Sequence, residues 1–86
     1  MNDFGFGTAK NMTATGTVCT GPGRLLGFYV NSTSSGTVVL KNGGSSGTAL
    51  CGTITPAIGY HKFPAAFSKD LHFTEGGTID ITFFYS

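Results

Sequence analysis

The sequence has few charged residues and no tryptophan. Five Lys or Arg residues and four Asp or Glu residues make up 10% of the 86 residues, whereas an ordinary soluble domain has roughly a quarter. A surface with so little charge is poorly protected against association. The composition therefore favours a protein that buries much of its surface against other protein over an enzyme that works free in solution.

The few cationic residues are dispersed along the chain. With a net charge of +1 and no cluster of Lys and Arg, the chain lacks the several basic groups that phosphate binding requires. No run approaches the roughly 20 apolar residues of a membrane-spanning helix. Residues 1–10 also lack the basic start and apolar core of a signal peptide. We therefore expect neither nucleic acid nor membrane among the partners.

Cysteine is scarce as well. Cys19 and Cys51 are too few for a disulfide framework and too far apart in sequence for a CxxC redox or zinc pair. A single bridge between them is geometrically open if their strands are neighbours. Two free thiols in a reducing cytoplasm are the expected state.

What the sequence does contain is short stretches of alternating apolar and polar residues. Clusters of Gly, Ser, Thr, Asn and Pro interrupt them about every 8–12 residues, which is typical of an all-β sandwich or barrel. No apolar period of 3.6 residues indicates a helix. We predict an antiparallel β-sandwich of about seven or eight strands, of jelly-roll or immunoglobulin-like type, over residues 12–86. Residues 1–11 are predicted to form an N-terminal arm.

Two segments alternate clearly enough to assign their faces. In the last strand the residues predicted to point inward are Ile79, Ile81, Phe83 and Tyr85. The outward residues are then Asp80, Thr82 and Phe84. In the strand after the Gly21-Pro22-Gly23 turn, the predicted inward residues are Leu26, Phe28 and Val30, with Leu25, Tyr29 and Asn31 opposite. Residues 31–36 and 75–77 are predicted to be a loop and a turn between strands.

The residues that could carry catalysis or bind a metal form no recognisable set. The carboxylates are Asp3, Asp70, Glu75 and Asp80. They are predicted at turns or on an outer face, where nothing indicates the perturbed environment of an acid–base pair. His61, His72 and Glu75 are the one candidate metal set, but their predicted strand and turn do not specify a ligand geometry. We expect a protein that is not an enzyme and that binds no metal or cofactor.

A few aromatic residues are not explained by a monomer core. They are Tyr29 and Phe84 on outer faces and Phe4 and Phe6 in the arm. Large aromatics are enriched at protein interfaces, so we predict that these four residues contact another subunit. Stacking against a sugar and ordinary packing in the core are the alternatives.

Several runs of turn and strand residues resemble a known group of proteins. They are residues 20–32 (TGPGRLLGFYVNS), residues 35–43 (SGTVVLKNG), Phe63-Pro64 ahead of Phe67, and residues 76–86 (GGTIDITFFYS). Together they resemble small structural proteins of tailed bacteriophages, especially those of marine and cyanobacterial hosts. The resemblance covers about residues 12–86 and leaves the arm outside.

The resemblance implies a virion component, either a capsid decoration protein or a part of the tail and portal apparatus. The expected function is a non-catalytic decoration (cement) protein, assembled in the host cytoplasm, that binds many copies of the major capsid protein and self-associates. The alternative is a carbohydrate-binding module on the particle that helps host attachment. A β-sandwich can carry either function, but the absence of Trp and the few polar residues near the aromatics in sequence favour the first.

Overall fold

The computed structural model describes residues 7–86, which form six β-strands in one antiparallel sheet. The strands are β1 (Thr8–Met12), β2 (Gly16–Cys19), β3 (Gly23–Asn42), β4 (Thr48–Ala49), β5 (Gly59–Phe67) and β6 (Leu71–Tyr85). This part of the chain contains no helix, and so none that could cross a membrane.

Two long strands, β3 and β6, form the centre of the sheet. They pair with each other from Leu25↔Tyr85 to Asn42↔Leu71. The four short strands pair with their outer sides: β1 and β5 flank one end of this central pair, and β2 and β4 flank the other. We call the end with β1 and β5 the first half-sheet and the end with β2 and β4 the second half-sheet.

The sheet is folded so that its two halves face each other. The rings of Phe73 and Phe83 on strand β6 are 5.1 Å apart, whereas ten residues of straight strand would separate them by roughly 33 Å. The sheet bends where Ser35 and Gly36 bulge out of the ladder opposite Gly77. Ser35 and Gly77 both have a positive φ, of 56° and 63°, and bulges bend the strands that contain them.

The core lies between the two half-sheets. Its fully buried members are Leu25, Phe28, Val30, Val38, Leu40, Leu71, Phe73, Ile79, Ile81 and Phe83. Residues from the connecting segment after β4, including Leu50 and Ile54, pack against this cluster. Each long strand contributes core residues from both half-sheets, so the core depends on the bend in the centre of the sheet.

The prediction of an all-β domain is confirmed, but the number and arrangement of strands differ. The sheet is single and has six strands, instead of the seven or eight strands of a two-sheet sandwich. Residues 31–36 and 75–77, predicted as breaks, are bends within β3 and β6 that keep the strands paired. Residues 8–11, assigned to the arm, belong to β1 and pair with β6.

The predicted faces are confirmed for the last strand and wrong at Leu25 and Leu26 of β3. Ile79, Ile81 and Phe83 are buried, while Phe84 lies on the outer side. In β3, however, Leu25 is buried and Leu26 is turned outward, the reverse of the prediction. A bulge between Leu25 and Gly27 interrupts the pairing of β3 with β5 and with β6 and shifts the alternation by one residue.

Candidate functional site

An apolar groove crosses the outer face of the first half-sheet. We call it the aromatic groove. It has a volume of about 540 Å³ and is lined by Gly7, Ala9, Leu26, Tyr29, Tyr60 and Phe84. These residues come from or next to all four strands of the half-sheet, so the groove runs across the strands and not along them.

The strand register brings the lining residues together. Ala9 and Gly27 lie on either side of Phe84 in neighbouring strands, and these small residues leave space around its ring. Tyr29 pairs with Tyr60 across the β3–β5 ladder. Leu26 reaches the outer face because the bulge in β3 turns it away from the core.

Tyr60 extends across the backbone of β3 toward Phe84. A Cβ atom added to Gly27 would be 2.5 Å from the Tyr60 hydroxyl and 2.9 Å from its ring. Glycine at position 27 therefore makes room for the tyrosine. The ring of Tyr60 reaches that of Phe84, with centroids 6.2 Å apart and planes tilted by 52°, an arrangement in the range that aromatic pairs prefer.

The groove is open to solvent even though its lining is apolar. Tyr29 is 43% exposed and Tyr60 is 55% exposed. Ile58, just before β5, is 63% exposed and lies outside the groove lining. Single exposed apolar residues are ordinary, but contiguous apolar patches mark interaction sites.

A polar cluster lies next to the groove on the same half-sheet. The side-chain amide of Asn11 donates to Asp80 Oδ1 at 2.7 Å and to Thr82 Oγ1 at 3.2 Å. The amide of Asn31 donates to the same two oxygens, at 3.2 Å and 3.1 Å. Thr82 is also the ladder partner of Tyr29. These side chains thus satisfy one another and do not line the groove.

Of the four residues predicted to form an interface, the structure brings two into one site. Tyr29 and Phe84 both line the aromatic groove. Phe4 and Phe6 lie outside the described residues. Tyr60 and Leu26 were not predicted: no alternation assigned Tyr60 to a face, and the bulge that turns Leu26 outward leaves no signal in the sequence.

Within residues 7–86 the structure does not gather the candidate acidic and histidine residues into one cluster. Among residues 7–86 no group of three His, Cys, Asp or Glu side chains could hold a metal ion. His61 Nε2 is 2.8 Å from the Ala57 carbonyl. His72 is buried, and its Nε2 atom has no hydrogen-bond partner among residues 7–86. The Glu75 carboxylate accepts from the backbone N–H of Ile79 at 3.3 Å. Asp3 lies outside the described residues.

Both cysteines are free thiols and half-buried. Burial raises the pKa of the Cys19 thiol above its ordinary value, and the nearby Asp70 carboxylate raises it further. The same carboxylate accepts a hydrogen bond from the backbone N–H of Gly21 at 3.1 Å. Because only the thiolate is a good nucleophile, the raised pKa makes Cys19 less reactive at neutral pH than an ordinary cysteine.

We expect iodoacetamide at pH 8 to alkylate Cys19 more slowly in the folded protein than in the urea-unfolded chain, measured in a Cys51→Ser background. Asp70→Asn should speed the reaction of the folded protein because it removes one of the two causes of the raised pKa. The folded protein binds the Cys19 thiol proton more tightly than the unfolded chain does, because the pKa is raised on folding. This proton binding therefore stabilises the fold fully at a pH below the pKa of the unfolded thiol. The stabilisation is lost as the pH rises through the pKa of the folded thiol. Equal rates in Asp70→Asn and the parent would contradict the role of the carboxylate.

Comparisons with protein-family models, with curated proteins and with solved structures give no match to this chain.

Proposed function

We propose that this chain is a non-catalytic structural component of a bacteriophage particle, of the capsid decoration type, that binds the major capsid protein in many copies and associates with itself. In this proposal the folded sheet serves as a small β-sandwich whose two half-sheets are its layers. The observation that carries the proposal is the aromatic groove, an exposed apolar site on a surface with very little charge.

The composition of the groove is that of a protein-binding site. Tyrosine and phenylalanine supply large contact areas with few rotatable bonds, and buried aromatic anchors commonly dominate the binding energy of an interface. Tyr29, Tyr60 and Phe84 lie on paired strands, so their backbone positions are set before a partner binds. Binding then orders few side chains, which lowers its entropic cost.

The alternative function, carbohydrate binding, would use the same rings together with the polar cluster. A sugar needs hydrogen-bond donors and acceptors directed at its hydroxyl groups. In the polar cluster the amide groups of Asn11 and Asn31 already donate to Asp80 and Thr82, and none of these four residues lines the groove. The geometry therefore favours contact with protein.

Incorporation into purified phage particles tests the proposal. Tyr29→Ser and Phe84→Ser each remove an aromatic ring from the groove, so we expect each to reduce co-sedimentation with the particles at least tenfold. Ile58→Ser is the matched control, because Ile58 is more exposed than Tyr29 and Tyr60 and lies outside the groove. Its incorporation should be unchanged. Equal incorporation of all three variants and the parent would refute the proposal.

A further inference from the structure

The first half-sheet ends in two edge strands, β1 and β5. β1 pairs with β6 and β5 pairs with β3, each along one side. No other strand of residues 7–86 pairs with the outer side of β1 or β5. Unpaired backbone N–H and C=O groups at a sheet edge are a template for pairing with a strand of another chain. The two edges differ in how well they can accept such a strand.

The hydrogen bonds at the end of β6 show which backbone groups of β1 point outward. The N–H and C=O groups of Ser86 both bond to the same residue of β3, at 2.8 Å and 2.9 Å. Successive residues of an antiparallel strand direct these groups to opposite sides, so those of Tyr85 point toward its β1 partner Thr8. The same alternation along β1 turns the N–H and C=O groups of Ala9 and Asn11 away from β6.

The outer edge of β1 is open within the described part of the chain. The backbone groups of Ala9 and Asn11 have no hydrogen-bond partner among residues 7–86. Four of the five residues of β1 are exposed, although successive side chains of a strand point to opposite faces. Another strand can therefore approach this edge without meeting a segment that covers either face.

The other edges carry features that discourage pairing. β5 contains Pro64, which has no N–H to donate, at a bulge between Lys62 and Ala65. In the second half-sheet, β2 has a bulge between Thr17 and Cys19, and β4 is only two residues long. Within residues 7–86, β1 is therefore the edge best suited to accept a strand. Association through this single edge closes at a dimer and does not grow into a fibre.

We infer that β1 pairs with β1 of a second copy of this chain, antiparallel about a two-fold axis. The inference rests on the proposed function, in which the chain associates with itself, and it names the surface that does so. The second copy presents the same unpaired groups, so one symmetric contact satisfies both edges. A pairing centred on Ala9 places Lys10 opposite Thr8 of the second copy, which avoids the penalty of directly opposed like charges.

This pairing joins the first half-sheets of the two copies into one layer. Paired residues of neighbouring strands share a face, so both aromatic grooves open on the same side, with Ala9 of each groove lining at the join. One strand of five residues is a small contact compared with the roughly 20–30 residues per side of a stable interface. The dimer is therefore weak in dilute solution and forms where copies are held close together, as the proposed function requires.

Sedimentation equilibrium of the full chain, from micromolar to millimolar concentration, tests the inference. We expect a monomer–dimer equilibrium without larger species. Ala9→Pro removes an outward N–H from both copies and should weaken dimerisation roughly tenfold or more. Ala66→Pro is the matched control. Ala66 is also an exposed alanine at an edge, and its N–H points away from β3 because its partner Arg24 bonds to Ser86. This variant should dimerise as the parent does.

Hydrogen exchange of the ¹⁵N-labelled parent gives a second readout, which does not depend on the folding of a variant. The Ala9 amide should exchange more slowly as the protein concentration rises, because it becomes bonded in the dimer. The Lys10 amide points toward β6 and should be protected equally at every concentration. The Ala66 amide should exchange at the same rate throughout.

Four results would overturn the inference: a monomer at every concentration, assemblies that grow beyond a dimer, equal effects of the two proline variants, or an Ala9 amide whose exchange is independent of concentration. A chain that lacks residues 2–6 should dimerise as the full chain does. If only the shortened chain dimerises, the missing residues occupy the β1 edge and the inference fails.

The proposed function is judged separately, by co-sedimentation with particles. If the chain stays monomeric but Tyr29→Ser still reduces co-sedimentation, binding to the capsid stands without the pairing of β1. If the chain dimerises through β1 and Tyr29→Ser binds particles as the parent does, only the inference stands.

Discussion

Replacing Phe83 by serine should remove most of the domain's free energy of unfolding. Phe83 is fully buried, and its ring contacts Phe28 beside it and Phe73 across the folded sheet, with centroids 5.8 Å and 5.1 Å away. Truncation of a buried phenylalanine costs about 3–5 kcal/mol, and a buried hydroxyl without a partner adds about 1–3 kcal/mol. A domain of this size has a total stability on the order of 4–13 kcal/mol.

Phe84 is the matched comparison, because it is the next residue on the same strand and points the other way. Its ring contacts Tyr60 on the outer face and is half-buried, so Phe84→Ser should cost about 1–3 kcal/mol, less than Phe83→Ser. Urea unfolding followed by circular dichroism would measure both variants. If Phe84→Ser proves as destabilising as Phe83→Ser, then Phe84 belongs to the stabilising core and its assignment to a binding surface fails.

The faces of the last strand could be predicted because nothing disturbs its alternation between Ile79 and Tyr85. In β3 the same reasoning failed at Leu25 and Leu26, because a bulge inserts one residue and reverses the faces before it. Bulges arise from how strands fit their neighbours, and one sequence does not reveal where they occur. The continuity of β3 and β6 was missed for a related reason. Gly76-Gly77 predicts a break in the chain, yet here it permits a bend that keeps the pairing.

The candidate site was predictable only in part. Tyr29 and Phe84 could each be assigned to an outer face from local alternation, and both line the groove. They line one groove with Tyr60 because the order of the strands places β3 between β5 and β6. Gly27 contributes by its lack of a side chain, which lets Tyr60 extend over the strand. Such a contribution cannot be recognised until the neighbouring strand is known.

A second large loss of stability is expected from a substitution at the bend in the centre of the sheet. Gly77 has a φ of 63°, and a Cβ atom there would collide with the carbonyl oxygen of Ser35 on the opposite strand. Gly77→Ala should therefore suffer two penalties. One is the cost of a left-handed backbone for an L-residue, about 1–2 kcal/mol. The other is the displacement of β3 from β6 where both strands bend, which would separate the half-sheets and loosen the core between them.

Gly21→Ala is the control that separates the two penalties. Gly21 also has a positive φ, of 89°, but a Cβ atom there would meet nothing within 4 Å. Gly21→Ala should therefore lose only the free energy of placing an L-residue in a left-handed backbone conformation, about 1–2 kcal/mol. Gly77→Ala should lose at least about 2 kcal/mol more, which is in the range of severe steric mutations. Urea unfolding of the two variants gives the difference directly. Equal losses would mean that β3 can move away from Gly77 without cost, and that the close approach of the two strands does not hold the sheet in its folded form.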